Sequence, residues 1–220
     1  MIPARKSFFG ELLVFGICRR SIWRSFHSVR LKVAEPLPAP PAELNIPVIF
    51  YCNHSTWWDG YVAHILSRQV FNLDPYLMMD EKQLKRFKFF SWAGCFSVNR
   101  ENPREALKSL QYIAAELVKR PGRALWIFPQ GEIEPSEKRP LDFQNGLGWL
   151  VRRLDDCLVY PVSLRFEFMR EQFPDIFVYI GAPVRFSPEE KKDIKNTEKN
   201  GLHPSSSCQR HMCPSWSERN

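Results

Sequence analysis

Residues 47–60, PVIFYCNHSTWWDG, end a short apolar run at Asn53-His54 and set an aspartate, Asp59, five positions beyond the histidine. A histidine at a strand end, with a carboxylate holding one ring nitrogen, can take a proton from a hydroxyl with the other. On one regular helix, residues five apart lie about 140° apart around the axis and do not face each other. The pairing therefore needs His54 in the turn and Asp59 in the first turn of the following helix. There Asp59 would accept from Nδ1–H and leave Nε2 as the base, with the substrate's own hydroxyl as nucleophile. Of the five histidines, only His54 has an acid at that spacing.

The elements that must hold this pair are read from periodicity. Strand patterns lie at 48–52, 76–79, 95–98, 124–128, 158–166 and 177–180, and helical patterns at 57–67, 81–87, 103–119 and 143–154. The alternation predicts an α/β fold: a single layered domain, with a mostly parallel mixed sheet flanked by helices. Ligands of such sheets bind beyond the strand carboxyl ends, where His54, Arg100 and Gly131 would all lie. This domain is expected over 47–186, after an N-terminal amphipathic helical segment (1–34) and a proline-rich linker (35–46). Residues 187–220 have few apolar side chains and no period, and read as a disordered or truncated tail.

Three further segments follow His54 and Asp59 in order: Gly94-Cys95-Phe96-Ser97-Val98-Asn99-Arg100, Ile127-Phe128-Pro129-Gln130-Gly131-Glu132, and Val159-Tyr160-Pro161-Val162. Together the four resemble the motif blocks of the glycerolipid acyltransferases, the superfamily of 1-acylglycerol-3-phosphate and lysophospholipid O-acyltransferases. The resemblance runs over about 47–184. It implies transfer of a fatty acyl group from acyl-CoA or acyl carrier protein to a lipid hydroxyl, with His54 and Asp59 catalytic. It also implies no metal or redox cofactor, and a role in phospholipid metabolism. The third block departs from the family pattern, with Gln130 for the usual Glu, Glu132 for Thr, and Ile133-Glu134 for Ser-Arg. Two carboxylates, Glu132 and Glu134, would repel a phosphate dianion, which points to an acceptor less acidic than lysophosphatidate.

Arg100 is the candidate for an anionic head group or the donor's phosphopantetheine. Gly131 would allow a tight turn with N–H groups facing a developing oxyanion, and Gln130 and Glu132 would meet the acceptor. Trp57 and Trp58 would line an acyl or acceptor pocket. Cys18, Cys52, Cys95 and Cys157 fall in or beside apolar segments without paired spacing, which suits a reducing compartment and supplies no acyl-enzyme nucleophile. His203, Cys208, His211 and Cys213 match no zinc spacing.

Residues 8–32 read as an interfacial helix or helix pair, laying Phe, Leu, Ile and Trp into a bilayer surface with arginines toward anionic lipid. Packing against the domain is the other reading of the same stretch. No run reaches the roughly 18 apolar residues of a spanning helix, so peripheral attachment at the cytoplasmic membrane face is expected. Lys82, Lys85, Arg86 and Lys88, interleaved with Phe87, Phe89 and Phe90, form a second basic-aromatic patch. The net charge of +7 fits an anionic partner, and no nucleic-acid motif accompanies it. The rival functional reading is a membrane-surface binding protein of the same fold without turnover.

Overall fold

Five consecutive buried side chains, Val48 to Cys52, form a central strand of a computed structural model that describes residues 1–35 and 45–188. Such a strand shows no polar alternation because both of its faces are covered. Val48, Phe50 and Cys52 enter one core layer, while Ile49 and Tyr51 enter the other. The strand beside it, Arg123–Ile127, divides the same way, with Ala124 and Trp126 on the first side and Leu125 and Ile127 on the second.

In chain order the strands are β1 (Ser28–Val33), β2 (Val48–Cys52), β3 (Asp74–Asp80), β4 (Cys95–Val98), β5 (Arg123–Ile127), β6 (Cys157–Glu167), β7 (Asp175–Ile180) and β8 (Val184–Phe186). They form one sheet in the order β1-β7-β6-β2-β5-β3-β4, with β8 also paired to β6. Pairings of β7 and β8 with β6 are antiparallel and all others are parallel. The mostly parallel mixed sheet expected from the sequence is thus present. Helices α1 (Phe8–Ser25), α2 (Asp59–Ile65) and α3 (Glu81–Arg86) pack on one face, and α4 (Pro103–Leu117) and α5 (Gly146–Arg153) on the other.

Local chemistry starts the helices where they start. Ser7 accepts from the Gly10 N–H ahead of α1, Asp80 from Lys82 and Gln83 ahead of α3, and Asn102 from Arg104 and Glu105 ahead of α4, whose first residue is Pro103. Each side chain satisfies helical N–H groups that have no intrahelical acceptor. In α1 the buried residues Gly10, Val14, Cys18 and Ile22 recur every four positions and form one inward stripe. At Gly10 a Cβ would stand 2.4 Å from the Trp92 Cβ, so the close approach needs glycine there.

The helical reading of 8–32 holds only to Ser25. Residues 28–33 alternate Val29, Leu31 and Val33 with polar side chains, a period of two. They pair in parallel with β7 as an edge strand of the same sheet. Strand β8 was not anticipated, because three residues carry too little pattern to read. Ahead of α1, residues 2–7 run beside the opposite edge: Ser97 N–H donates to the Ile2 carbonyl, Ala4 N–H to the Tyr112 hydroxyl, and Arg5 N–H to the Ser91 carbonyl. The linker reading falls almost wholly, and the tail reading with its His and Cys residues wholly but for 187–188, outside the described residues.

His64 on α2 is buried near Phe15, and its Nε2 has no hydrogen-bond partner among the described residues. Burial, reinforced by Lys6 and Arg68, pushes its pKa from 6.5 down to about 4. The unfolded chain therefore binds a proton below pH 6.5 that the folded chain refuses until about pH 4. Stability from the neutral ring is fully present above pH 6.5 and drains away as pH falls toward 4. We expect about 2 kcal/mol of unfolding free energy to be lost between pH 7 and 5 relative to His64→Leu, read by urea denaturation of both proteins.

Candidate active site

His54 sits immediately beyond the carboxyl end of β2, and three sets of bonds fix it. Asn53 continues the β2–β6 ladder with its side chain: the Leu164 N–H donates to Oδ1 at 2.8 Å, and Nδ2–H donates to the Leu164 carbonyl at 2.9 Å. Asp59 begins α2, and its carboxylate is fully buried. Its Oδ2 accepts from His54 Nδ1–H at 2.7 Å, from Ser55 N–H at 2.8 Å and from Thr56 N–H at 3.0 Å, while Oδ1 accepts from the Thr56 hydroxyl at 3.0 Å. The third set comes from the loop after β5. The His54 N–H donates to Gln130 Oε1 at 2.7 Å, and the Glu134 N–H donates to the His54 carbonyl at 2.9 Å. Phe128 stacks on the imidazole at 4.5 Å between ring centres.

A carboxylate can only accept, so Nδ1 carries the hydrogen of the neutral ring and Nε2 carries the lone pair. Nε2 has no bond among the described residues, and the half-buried ring leaves it open to a ligand. This is the geometry of an oriented general base. Cys52, the nearest thiol in sequence, is driven well above its ordinary pKa by burial and then by the Asp59 charge, so it stays protonated.

Because β2, β4 and β5 run parallel, His54, Arg100 and Gly131 emerge at the same sheet edge. Gly131 has φ 79°, in the left-handed region open to glycine. A Cβ there would stand 3.1 Å from Arg100 Nη1, so the exposed arginine leans back over the turn. The Gly131 N–H itself closes that turn on the Phe128 carbonyl at 3.0 Å. Of the turn's N–H groups, the one on Gly131 is therefore already paired within the protein.

The two third-block carboxylates part company. Glu132 is exposed. Glu134 is turned inward, ion-paired to Lys138 and hydrogen-bonded by the Gln130 amide, and these two contacts hold its carboxyl below the usual range. Its charge is balanced by the exposed Lys138, which reduces the repulsion of a phosphate expected from sequence.

Trp58 lines a cleft of about 480 Å³ together with Phe26, Thr56, Phe166, Phe168 and Phe173. The cleft lies between the His54 loop, the end of α1 and the β6–β7 connection, and its walls are mainly apolar. Trp57 points elsewhere, packing on Phe87 at 5.4 Å. In the basic-aromatic patch Lys82 pairs with Glu101 at 2.7 Å, Lys85 pairs with Glu81 at 2.6 Å, and Phe90 is buried. Arg86 lies over the Phe87 ring at 5.1 Å, and Lys88 is exposed.

A model of the family described as Acyltransferase matches residues 28–165. The chain belongs to the acyltransferase family. In fold this acyltransferase is similar to the crystal structure of the 1-acyl-sn-glycerophosphate (LPA) acyltransferase, PlsC, from Thermotoga maritima. The TM-score is 0.53 at 17% identity, over 86% of this chain and 77% of that one. No curated protein matches the chain significantly. The family match begins at β1 and spans all four motif blocks, through Val159-Tyr160-Pro161-Val162, in agreement with the superfamily resemblance read from the sequence.

Asn53, Thr56, Phe128 and the inward role of Glu134 are additions that the sequence reading of this acyltransferase lacked. Asn53 carried a signal, as an amide at a strand end directly before the histidine. Thr56 carried one too, at the capping-box spacing to Asp59, whereas Phe128 and Glu134 act on His54 through contacts that sequence spacing does not encode.

Proposed function

We propose that this acyltransferase moves a fatty acyl group from acyl-CoA or acyl carrier protein to a hydroxyl of a lysophospholipid, glycerolipid or related lipid, with His54 as general base. The reading is carried by one observation: a histidine whose Nδ1 is held by a buried carboxylate and whose Nε2 is free at the strand carboxyl ends. Nε2 takes the hydroxyl proton as the oxygen attacks the thioester carbonyl carbon. The C–S bond then breaks, and the imidazolium returns the proton to the departing thiolate. Asp59 stabilises the imidazolium between these steps. No metal or redox cofactor takes part in this scheme.

Arg100 is suited to an anionic group of either substrate. With Glu134 paired to Lys138, Glu132 is the third-block carboxylate left facing solvent, so an acceptor with a single phosphate, such as a zwitterionic lysolipid, is compatible. The apolar cleft beside Thr56 and Trp58 would take an alkyl chain. The test is thiol release from long-chain acyl-CoA by the purified protein with a membrane lipid extract, alongside acyl carrier protein as donor. A labelled lipid product supports the reading and its head group names the acceptor. No product with either donor overturns it in favour of a binding protein without turnover.

No helix among the described residues is long and apolar enough to cross a membrane. The outer face of α1 instead exposes Phe8 (76%), Phe9 (81%), Leu12, Leu13 and Trp23 (78%), beside exposed Arg19, Arg20 and Arg24. Such a face suits peripheral docking on the anionic cytoplasmic leaflet. Replacing the three arginines with glutamine is expected to weaken partition onto phosphatidylserine vesicles about 100-fold, at about 1 kcal/mol per charge. Equal sedimentation of the wild-type protein with anionic and with neutral vesicles would count against the docking.

A further inference from the structure

We infer that Gln130, Glu134 and Lys138 form a positioning chain that locks the peptide of His54, so that Gln130 acts on the base and not on substrate. The inference rests on the acyl-transfer reading above for its kinetic consequence. Gln130 is 6% exposed and Glu134 8%, and their polar atoms are directed at each other and at His54. The His54 backbone is held on both sides, its N–H by Gln130 Oε1 at 2.7 Å and its carbonyl by the Glu134 N–H at 2.9 Å. Gln130 Nε2–H donates in turn to the Glu134 carboxylate, and Lys138 Nζ donates to the other oxygen of that carboxylate.

The chain has only one workable polarity. The His54 N–H is a donor, so the oxygen of the Gln130 amide must face it, and the NH₂ must face outward. An outward NH₂ needs an acceptor, which Glu134 supplies as a carboxylate, and the carboxylate needs a cation, which Lys138 supplies. Lys138 is the outermost member, with Asp142 a further 3.8 Å contact on its solvent side. This accounts for two of the third-block departures with a single bond. A glutamate at position 130, the family's usual residue, would also accept from His54 N–H, but it could not face a second carboxylate at 134. Glutamine at 130 and glutamate at 134 are therefore matched to each other in this protein.

Asp59 orients the imidazole ring, while this chain sets where its backbone starts. Both are needed, because displacement of a reacting group by about 1 Å can cost about 100-fold in rate. Glu134 and Lys138 are accordingly positioning residues, acting through Gln130.

The test compares wild type, Gln130→Glu, and the swap Gln130→Glu with Glu134→Gln. The single change sets two carboxylates within bonding distance. The swap restores every bond, since the amide introduced at position 134 would donate to the carboxylate introduced at position 130 and accept from Lys138. For the single variant we expect kcat to fall about 100-fold with KM changed less than about threefold, and for the swap a kcat within about fivefold of wild type. Hydrogen exchange of the His54 amide, followed by NMR, should be faster in the single variant and protected again in the swap. A single variant with wild-type kcat, a loss confined to KM, or a swap as impaired as the single variant would overturn the inference. The exchange measurement stands without turnover. Should wild type transfer no acyl group, lost and regained protection still supports the chain, and equal protection in all three proteins overturns it.

Discussion

Replacing His54 with alanine should lower kcat for acyl transfer about 1,000-fold, within the range general-base catalysis supplies, and leave KM within about threefold. The expectation follows from how little else the ring does. It stacks on Phe128 and donates one hydrogen bond to Asp59, and its backbone bonds to the Gln130 and Glu134 loop survive the change. Asp59 keeps three of its four donors, those from Ser55 and Thr56. Unfolding free energy should fall by only about 1 kcal/mol, the net worth of one hydrogen bond. Acyl transfer at the wild-type rate by a folded His54→Ala protein, in an assay of labelled lipid product, would remove His54 from the chemistry.

Asp59 is expected to show the opposite balance, and two substitutions separate its roles. Asp59→Ala strips the acceptor from two backbone N–H groups, a hydroxyl and the imidazole at once, all close to a fully buried position. A buried donor left unpaired costs about 1–3 kcal/mol, and water can reach some of these, so a loss of about 3 kcal/mol in stability is expected together with the loss of activity. Asp59→Asn can keep its carbonyl toward His54, Ser55 and Thr56, with its NH₂ toward the Thr56 hydroxyl. Stability should then be largely retained. The neutral amide no longer stabilises the imidazolium, so kcat should still fall about 100-fold. Urea melts and initial rates on both variants decide the matter, and an active Asp59→Asn would assign the carboxylate to structure alone.

The parts of the molecule legible in sequence are those fixed by local pattern. Residues 48–52 announce a strand buried on both faces, Asn102-Pro103 announces a helix start, and the interval from His54 to Asp59 announces a turn with an oriented ring. What escaped reading depends on partners distant in sequence. The alternation in 28–33 is weak, because an edge strand needs only one neighbour, and Ser28 meets its partner Asp175 on β7 across 147 positions of chain. Gly131 was legible as a turn glycine, but not the direction of its N–H, which is decided by Phe128. The two glutamates of the third block look alike in sequence. Bonds from the Gln130 amide, from Lys138 and to the His54 carbonyl turn Glu134 inward, while Glu132 faces solvent.

The segment at 2–7 and strand β1 lie against or form the two outer borders of the sheet, and this bears on how the protein avoids its own kind. A parallel sheet ending in bare strands offers rows of free N–H and C=O groups on which a second molecule can add strands. Here Ile2 bonds to Ser97 of β4 while Arg5 and Ser7 bond to Ser91 and Trp92 just before it, and β1 presents an exposed Lys32 beside an Arg30 paired to Asp175. One border is met by backbone at Ser97 and the other carries the lysine that edge strands commonly bear. Both devices make edge-to-edge addition of a second molecule less favourable, which matters at the high local concentrations that gathering on a surface would bring.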